Sequence, residues 1–150
     1  MDIKKIILIA ALLAASCGSY NSTTSSSSTT TDETTFPITC AEVSGTATFS
    51  EVYAIMNATS GKGCVNSSCH GGTRTPDLST EEEAKANIVE VASIGGTRTY
   101  ITGGSLDTTE SYLYNKLTDP VSGVRMPNGG TAWSSDDILT IARWICEGAN

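Results

Sequence analysis

Two thiols and an imidazole fall close together in Cys64-Val65-Asn66-Ser67-Ser68-Cys69-His70. His70 is the only histidine in the 150-residue chain, and it directly follows a cysteine. A cysteine pair ending in Cys-His attaches haem covalently when the spacing is C-x-x-C-H. Here the spacing is C-x-x-x-x-C-H, two residues longer. Cysteines at i and i+3 of a helical turn project about 60° apart, whereas at i and i+5 they diverge by about 140°. If both thiols reach one ring, Val65 to Ser68 therefore cannot form a regular helical turn. Asn66, Ser67 and Ser68 suit an exposed, irregular loop that bulges between the two sulfurs.

Haem c takes two thioethers and one imidazole, and His/Met ligation is the arrangement of electron-carrying cytochromes c. The second iron ligand is then sought among three methionines. Met1 goes with the N-terminal signal. Met56 lies on an apolar helical stripe and reads as core. Met126 sits off any helical pattern, before a proline that biases it toward extended backbone, and is the expected distal ligand. Arg125, and after it Arg98 or Trp133, are the candidates to bond a haem propionate. A structural zinc ion would want four ligands, and Cys64, Cys69 and His70 supply three. A plain Cys64–Cys69 disulfide leaves His70 and Arg125-Met126-Pro127 without a role. Neither the spacing nor the context suits a thioredoxin-like thiol enzyme.

The elements that must carry these residues are helical. Phe49, Val52, Tyr53 and Met56 form one stripe, predicting a helix over 46–58 with Thr48 and Glu51 at capping-box spacing. Ser79 or Thr80 caps a second helix, whose buried face is expected from Ala84, Ile88 and Val91. Its three glutamates, Glu81 to Glu83, suit the anion-favouring first turn better than a metal site. Thr97 to Thr102, bracketed by Gly95-Gly96 and Gly103-Gly104, reads as a short extended stretch or loop. A third helix is expected from Thr108 or Thr109, carrying Tyr112, Leu113, Lys116 and Leu117 and ending at Asp119-Pro120. A Gly/Pro-punctuated loop over 121–133 holds Met126. Ser134 and Asp137 then cap a final helix with the stripe Ile138, Ile141, Ala142 and Ile145, stopped at Gly148. Trp144 and Tyr112 are assigned to the core. The sequence thus predicts one all-α domain with long loops over 36–150, with no internal repeat and no series of strands.

Lys4 and Lys5 precede ten apolar residues, Ile6 to Ala15. That run is too short for a membrane-spanning helix, which needs roughly 20 residues, but it suits a signal-peptide core over 1–16. Leu13-Ala14-Ala15-Ser16-Cys17 resembles the lipobox of bacterial lipoproteins, which implies lipidation of Cys17 and a membrane anchor. Gly18 does not resemble an inner-membrane retention signal, so the outer membrane is favoured. The Ser/Thr-rich segment over 17–35 cannot bury enough surface to offset its ordering entropy and reads as a flexible linker. The chain beyond residue 16 keeps seven basic and fifteen acidic side chains, a net charge of −8, which argues against a nucleic-acid partner. Of the five cysteines, Cys40 and Cys146 are left over as a disulfide closing the domain end to end.

Taken together, residues 49–149 resemble a small mono-haem c-type cytochrome domain, of the planctomycete type found in bacterial exported proteins. The resembling pieces are Cys69-His70-Gly71-Gly72, then Gly104-Ser105-Leu106-Asp107 with Ser111-Tyr112-Leu113-Tyr114. Arg125-Met126-Pro127 follows, and then Trp144-Ile145 with Glu147-Gly148-Ala149. The resemblance implies covalent haem c, with His70 as proximal and Met126 as distal iron ligand, and Cys64 and Cys69 are the expected thioether positions. It further implies single-electron exchange with a redox partner protein, in the periplasm or at the cell surface, with no catalysis by the chain itself. A haem peroxidase or gas sensor with an open iron position, and a cofactor-free lipoprotein stabilised by disulfides, are the alternatives from other classes.

Overall fold

The computed structural model describes residues 35–58, 63–118 and 124–150. The expected signal peptide, lipidation at Cys17, almost all of the linker and the helix stop at Asp119-Pro120 lie outside these residues. The described part contains four α-helices: α1 (Phe49–Asn57), α2 (Glu81–Ile88), α3 (Tyr112–Thr118) and α4 (Ser135–Cys146), preceded by a 3-10 turn at Cys40–Glu42. Isolated bridges, and no longer strands, join Val89 to Ile101, Ala92 to Thr99 and Thr99 to Ser111. Among the described residues the domain is helical, as predicted.

The helix starts follow from their caps. Thr48 accepts from the Glu51 N–H and Glu51 returns its carboxylate to the Thr48 N–H at 2.7 Å, closing the predicted capping box of α1. Thr80, rather than Ser79, caps α2 through the Glu83 N–H. Ser134 and Asp137 close the box at α4. Each box satisfies backbone donors that a helix start leaves without partners.

Apolar stripes then set the packing. Phe49, Val52 and Met56 of α1 face Ile138, Ile141, Ala142, Trp144 and Ile145 of α4 in one core, and the Phe49 and Trp144 rings meet at 4.9 Å. The 3-10 turn is bound to the end of α4 by the Cys40–Cys146 disulfide, whose Cα atoms are 5.4 Å apart across 106 residues of sequence. Gly103 lies so close to the Gly148 carbonyl that a side chain there would overlap it. That contact locks the central loop onto the chain end.

Two expectations fail locally. Val91 does not extend the buried face of α2, because the helix ends at Ile88. Glu90 takes φ +53° and donates its N–H to the Ile101 carbonyl at 2.9 Å, turning the chain into the bridged segment. The third helix begins at Tyr112, later than Thr108. Asp107 accepts from Thr109 N–H and hydroxyl, which stabilises a turn there instead. Its core face is Tyr114, Asn115 and Leu117, while Tyr112 and Leu113 are half-buried. Tyr114 accepts from the Ile38 N–H at 3.1 Å, which anchors the N-terminal strap; burial raises its phenol pKa, partly offset by that bond.

Two outcomes follow for stability. Replacing Cys40 and Cys146 together by serine should lower the unfolding free energy by about 2–5 kcal/mol, since the bridge restricts a long unfolded loop; denaturant titration measures it. Hydrogen bonds lower the carboxylate pKa of Glu42, Glu51 and Asp107, first from the Thr39 and Thr48 backbone N–H groups and the Thr109 hydroxyl respectively. A carboxylate with a depressed folded pKa contributes stability that is complete above its unfolded value and is lost as pH falls through the folded one. Unfolding free energy should therefore be level near neutrality and decline below the ordinary glutamate value of 4.5. Glu51→Gln, which removes one titration, should make that decline shallower.

Candidate functional site

The segment from Gly63 to Leu78 is a chain of turns hung between α1 and α2. Its entry is fixed by Cys64, whose N–H donates to the Met56 carbonyl at the end of α1, 3.1 Å away. Met56 itself is 1% exposed, a core residue as expected. Residues 64–70 form successive turns and no helix, the irregular geometry expected if both thiols are to reach one ring.

Asn66 organises this loop. Its carbonyl accepts from the Cys69 N–H at 2.8 Å and the Gly71 N–H at 3.0 Å, and its side-chain oxygen accepts from the Ser68 N–H and hydroxyl. The His70 N–H donates to the Cys64 carbonyl at 2.9 Å, folding the loop back so that the backbones of His70 and the first cysteine meet. Thr73 and Arg74 donate to the carbonyls of Ser67 and Ser68, closing the outer edge. Composition marked Asn66 only as a loop residue; its role depends on contacts up to five residues away that spacing does not display.

Gly71 is where this loop permits no side chain. A Cβ there would overlap the Val65 carbonyl oxygen and press on Asn66.

The imidazole is oriented from one side. His70 Nδ1 lies 2.9 Å from the Pro76 carbonyl oxygen. That oxygen can only accept, so Nδ1 carries the proton and, in the neutral ring, Nε2 keeps its lone pair. The carbonyl is held in turn. Next to it, Asp77 accepts from the Ser79 N–H, and the Asp77 carbonyl accepts from Asn87 of α2 at 3.0 Å. Tyr53 of α1 donates toward the Leu78 and Ser79 carbonyls. The Ser79 hydroxyl and then its N–H lower the Asp77 carboxylate pKa, so Asp77 stays ionised and keeps this turn in place at neutral pH. Two helices thus hold the residues that directly follow the acceptor setting the histidine's tautomer.

Met126 is placed by a different element. Its N–H donates to the Lys116 carbonyl of α3 at 2.9 Å, and Lys116 Nζ donates to the Val124 carbonyl. The side chain is half-buried and packs, as Cys64 does, against the shared hydrophobic core. The structure thus joins Cys64 and His70 through a backbone hydrogen bond, with Cys69 next to His70 in the chain, and ties Met126 to α3 rather than to the cysteine loop.

Cys64 and Cys69 are not bridged to each other. Cys69 is disulfide-bonded. Among the described residues no group of three or more His, Cys, Asp or Glu side chains is arranged to hold a metal ion. The remaining candidates divide. Arg98 directs one amine to the Thr108 carbonyl and Asn115, and its guanidinium stacks 4.6 Å above the Tyr112 ring. Arg125 is half-buried. Trp133 is 4% exposed, and its indole N–H has no acceptor among the described residues.

No family model, curated protein or solved structure matches the chain. No helix among the described residues is long and apolar enough to cross a membrane.

Gly71→Ala should cost about 1–3 kcal/mol, the range for forcing extra volume into a packed site, and thermal unfolding would show it. An unchanged midpoint would mean that the Asn66–Gly71 contacts do not hold the loop.

Proposed function

We propose that the chain is a single-electron carrier, a membrane-tethered mono-haem cytochrome c with His70 and Met126 as iron ligands. The observation that carries this reading is the hydrogen bond from His70 Nδ1–H to the Pro76 carbonyl. A metal-ligating histidine almost always donates its other ring N–H to a backbone carbonyl, carboxylate or water, which fixes the tautomer and raises the basicity of the ligating nitrogen. In a loop that also holds two cysteines, the remaining lone pair on Nε2 is the proximal ligand expected of haem c.

The residues present suit that cofactor in kind. Cys64 and Cys69 supply the two sulfurs for thioether bonds, His70 a neutral imidazole nitrogen, and Met126 a soft thioether donor on a loop. The buried donor of Trp133, without an acceptor among the described residues, is further consistent with a polar group brought in from outside. Bound haem would supply a one-electron iron couple that no side chain here provides. The protein's part is to fix the imidazole through Pro76, hold Met126 by α3, and keep the site against the core. A thioether at Cys69 requires that sulfur as a thiol, so its disulfide must be reduced before attachment. The N-terminal lipid expected at Cys17 would confine the carrier to a membrane surface, the outer membrane by preference, facing the periplasm or the outside.

The disulfide at Cys69 favours a second reading, a cofactor-free structural lipoprotein stabilised by disulfides.

Expression of the full chain with a cytochrome c maturation system separates the two. The carrier reading predicts a haem c difference spectrum and a haem band that stays with the denatured polypeptide; a colourless product made under those conditions contradicts it. Met126→Ala should then leave haem attached but open one iron position, giving rapid carbon monoxide binding that the wild type lacks. If that variant keeps the wild-type spectrum, Met126 is not the ligand.

A further inference from the structure

Behind the turn that orients His70 lies a cleft of about 260 Å³ whose walls are chiefly apolar, from Pro76, Val91, Ala92 and Ile94. Pro76 is the residue whose carbonyl faces His70 Nδ1. Asp77 and Asn87 line the same cleft, and Asp77 is the one charged residue among the described lining. Arg74 and Lys85, the basic residues nearest in sequence, do not line it, and Arg74 donates through Nε to the Ser68 carbonyl instead. What the polar residues offer is acceptors. Asn87 spends a side-chain N–H on the Asp77 carbonyl, which leaves its amide oxygen. The Asp77 carboxylate takes the Ser79 N–H on Oδ1 at 2.9 Å, and an ionised carboxylate has room for more donors than one. Beside the cleft, Ile94 is 73% exposed. Its backbone is pinned there: the Ile94 N–H donates to the Tyr100 hydroxyl at 3.3 Å, Ser93 pairs with Arg98, and Gly96 donates to the Ser93 carbonyl. A single exposed apolar side chain is ordinary, but one held out next to an apolar cleft extends it into a contiguous patch, the mark of a contact surface.

We propose that this cleft is a docking site for a partner protein, which seats one arginine side chain in it and covers Ile94 with an apolar patch alongside. The size decides against a free small molecule, since sites that enclose such ligands run to roughly 300–1,000 Å³, whereas one long side chain needs less. The chemistry decides the side chain. Apolar walls with acceptors and one negative charge suit a cation on an apolar stem. Arginine meets a carboxylate with two parallel N–H donors and is weakly hydrated, while lysine is a strongly hydrated point charge that gives up more on entering an apolar cleft. The charge of the whole chain, −7, and the run Glu81 to Glu83 at the start of the helix that carries Asn87 draw a basic surface toward this face. A partner seated here rests against Pro76, and so against the turn that sets the histidine's tautomer. The inference goes beyond the carrier reading and does not depend on it.

The test titrates the ¹⁵N-labelled full chain, expressed with the maturation system whether or not haem attaches, with two peptides. One is acetyl-Leu-Arg-Leu-amide; the other carries citrulline for arginine, which keeps the shape and loses the charge. The arginine peptide should move the Asp77 and Ile94 amide resonances and the Asn87 side-chain amide. It should bind roughly tenfold more tightly than the citrulline peptide, the scale of a hydrogen bond to a charged group. Asp77→Asn keeps an acceptor for Ser79 and should erase that preference. Ile94→Ser, at an exposed position, should weaken both peptides by a similar factor and leave the preference intact. Equal binding of the two peptides, shifts confined to residues outside the cleft, no shift at millimolar peptide, or a preference that survives Asp77→Asn overturns the proposal. A colourless product overturns only the carrier reading, because the titration reads the cleft in either case.

Discussion

One hydrogen bond sets the chemistry available to this domain, that between His70 Nδ1 and the Pro76 carbonyl. It decides which ring nitrogen has a lone pair, and so decides that the imidazole can act as a ligand through Nε2. Much of the surrounding structure serves it. Tyr53 reaches from α1 and Asn87 from α2 to the residues just after Pro76. Asn66 winds the loop that returns His70 to Cys64. Burial, then Glu81 and Glu83, raise the pKa of the Tyr53 phenol, which keeps it a donor to those carbonyls across the neutral range.

That bond needs a rigid frame, and the domain builds one from short helices. The longest among the described residues, α4, has 12 residues and α3 only 7; helices this short are marginal alone and depend on packing. Each gains order from its ends and one buried face. Capping boxes fix α1 and α4, the Phe49–Trp144 contact couples them, and the Cys40–Cys146 disulfide ties the chain's beginning to its end. Long connecting segments are then held by close backbone approaches, at Gly71 against Val65 and at Gly103 against Gly148. The glycines sit there because a Cβ has no room.

Much of this was legible in the sequence, for identifiable reasons. The stripes of α1 and α4 repeat at helical spacing, and Thr48/Glu51 and Ser134/Asp137 are caps whose chemistry is local. Pairing Cys40 with Cys146 followed from counting thiols. Three features were not legible. The end of α2 at Ile88 depends on a backbone bond from Glu90 to Ile101, a contact between distant segments. The core face of α3 turned toward Tyr114 because its hydroxyl meets the Ile38 N–H, again across the chain. The Pro76 acceptor is a backbone atom six residues past His70, and no residue type announces it. Spacing shows the donors of the candidate site; the folded loop alone shows what orients them.

The central claim is that the Cys64–His70 segment carries covalent haem, and the mass of that peptide tests it most directly. From chain matured with the haem-attachment machinery, digested without reductant, the account predicts a peptide heavier by one haem, with both sulfurs blocked to alkylation. The same peptide recovered without haem, its cysteines in disulfides or freely alkylated, would contradict the account.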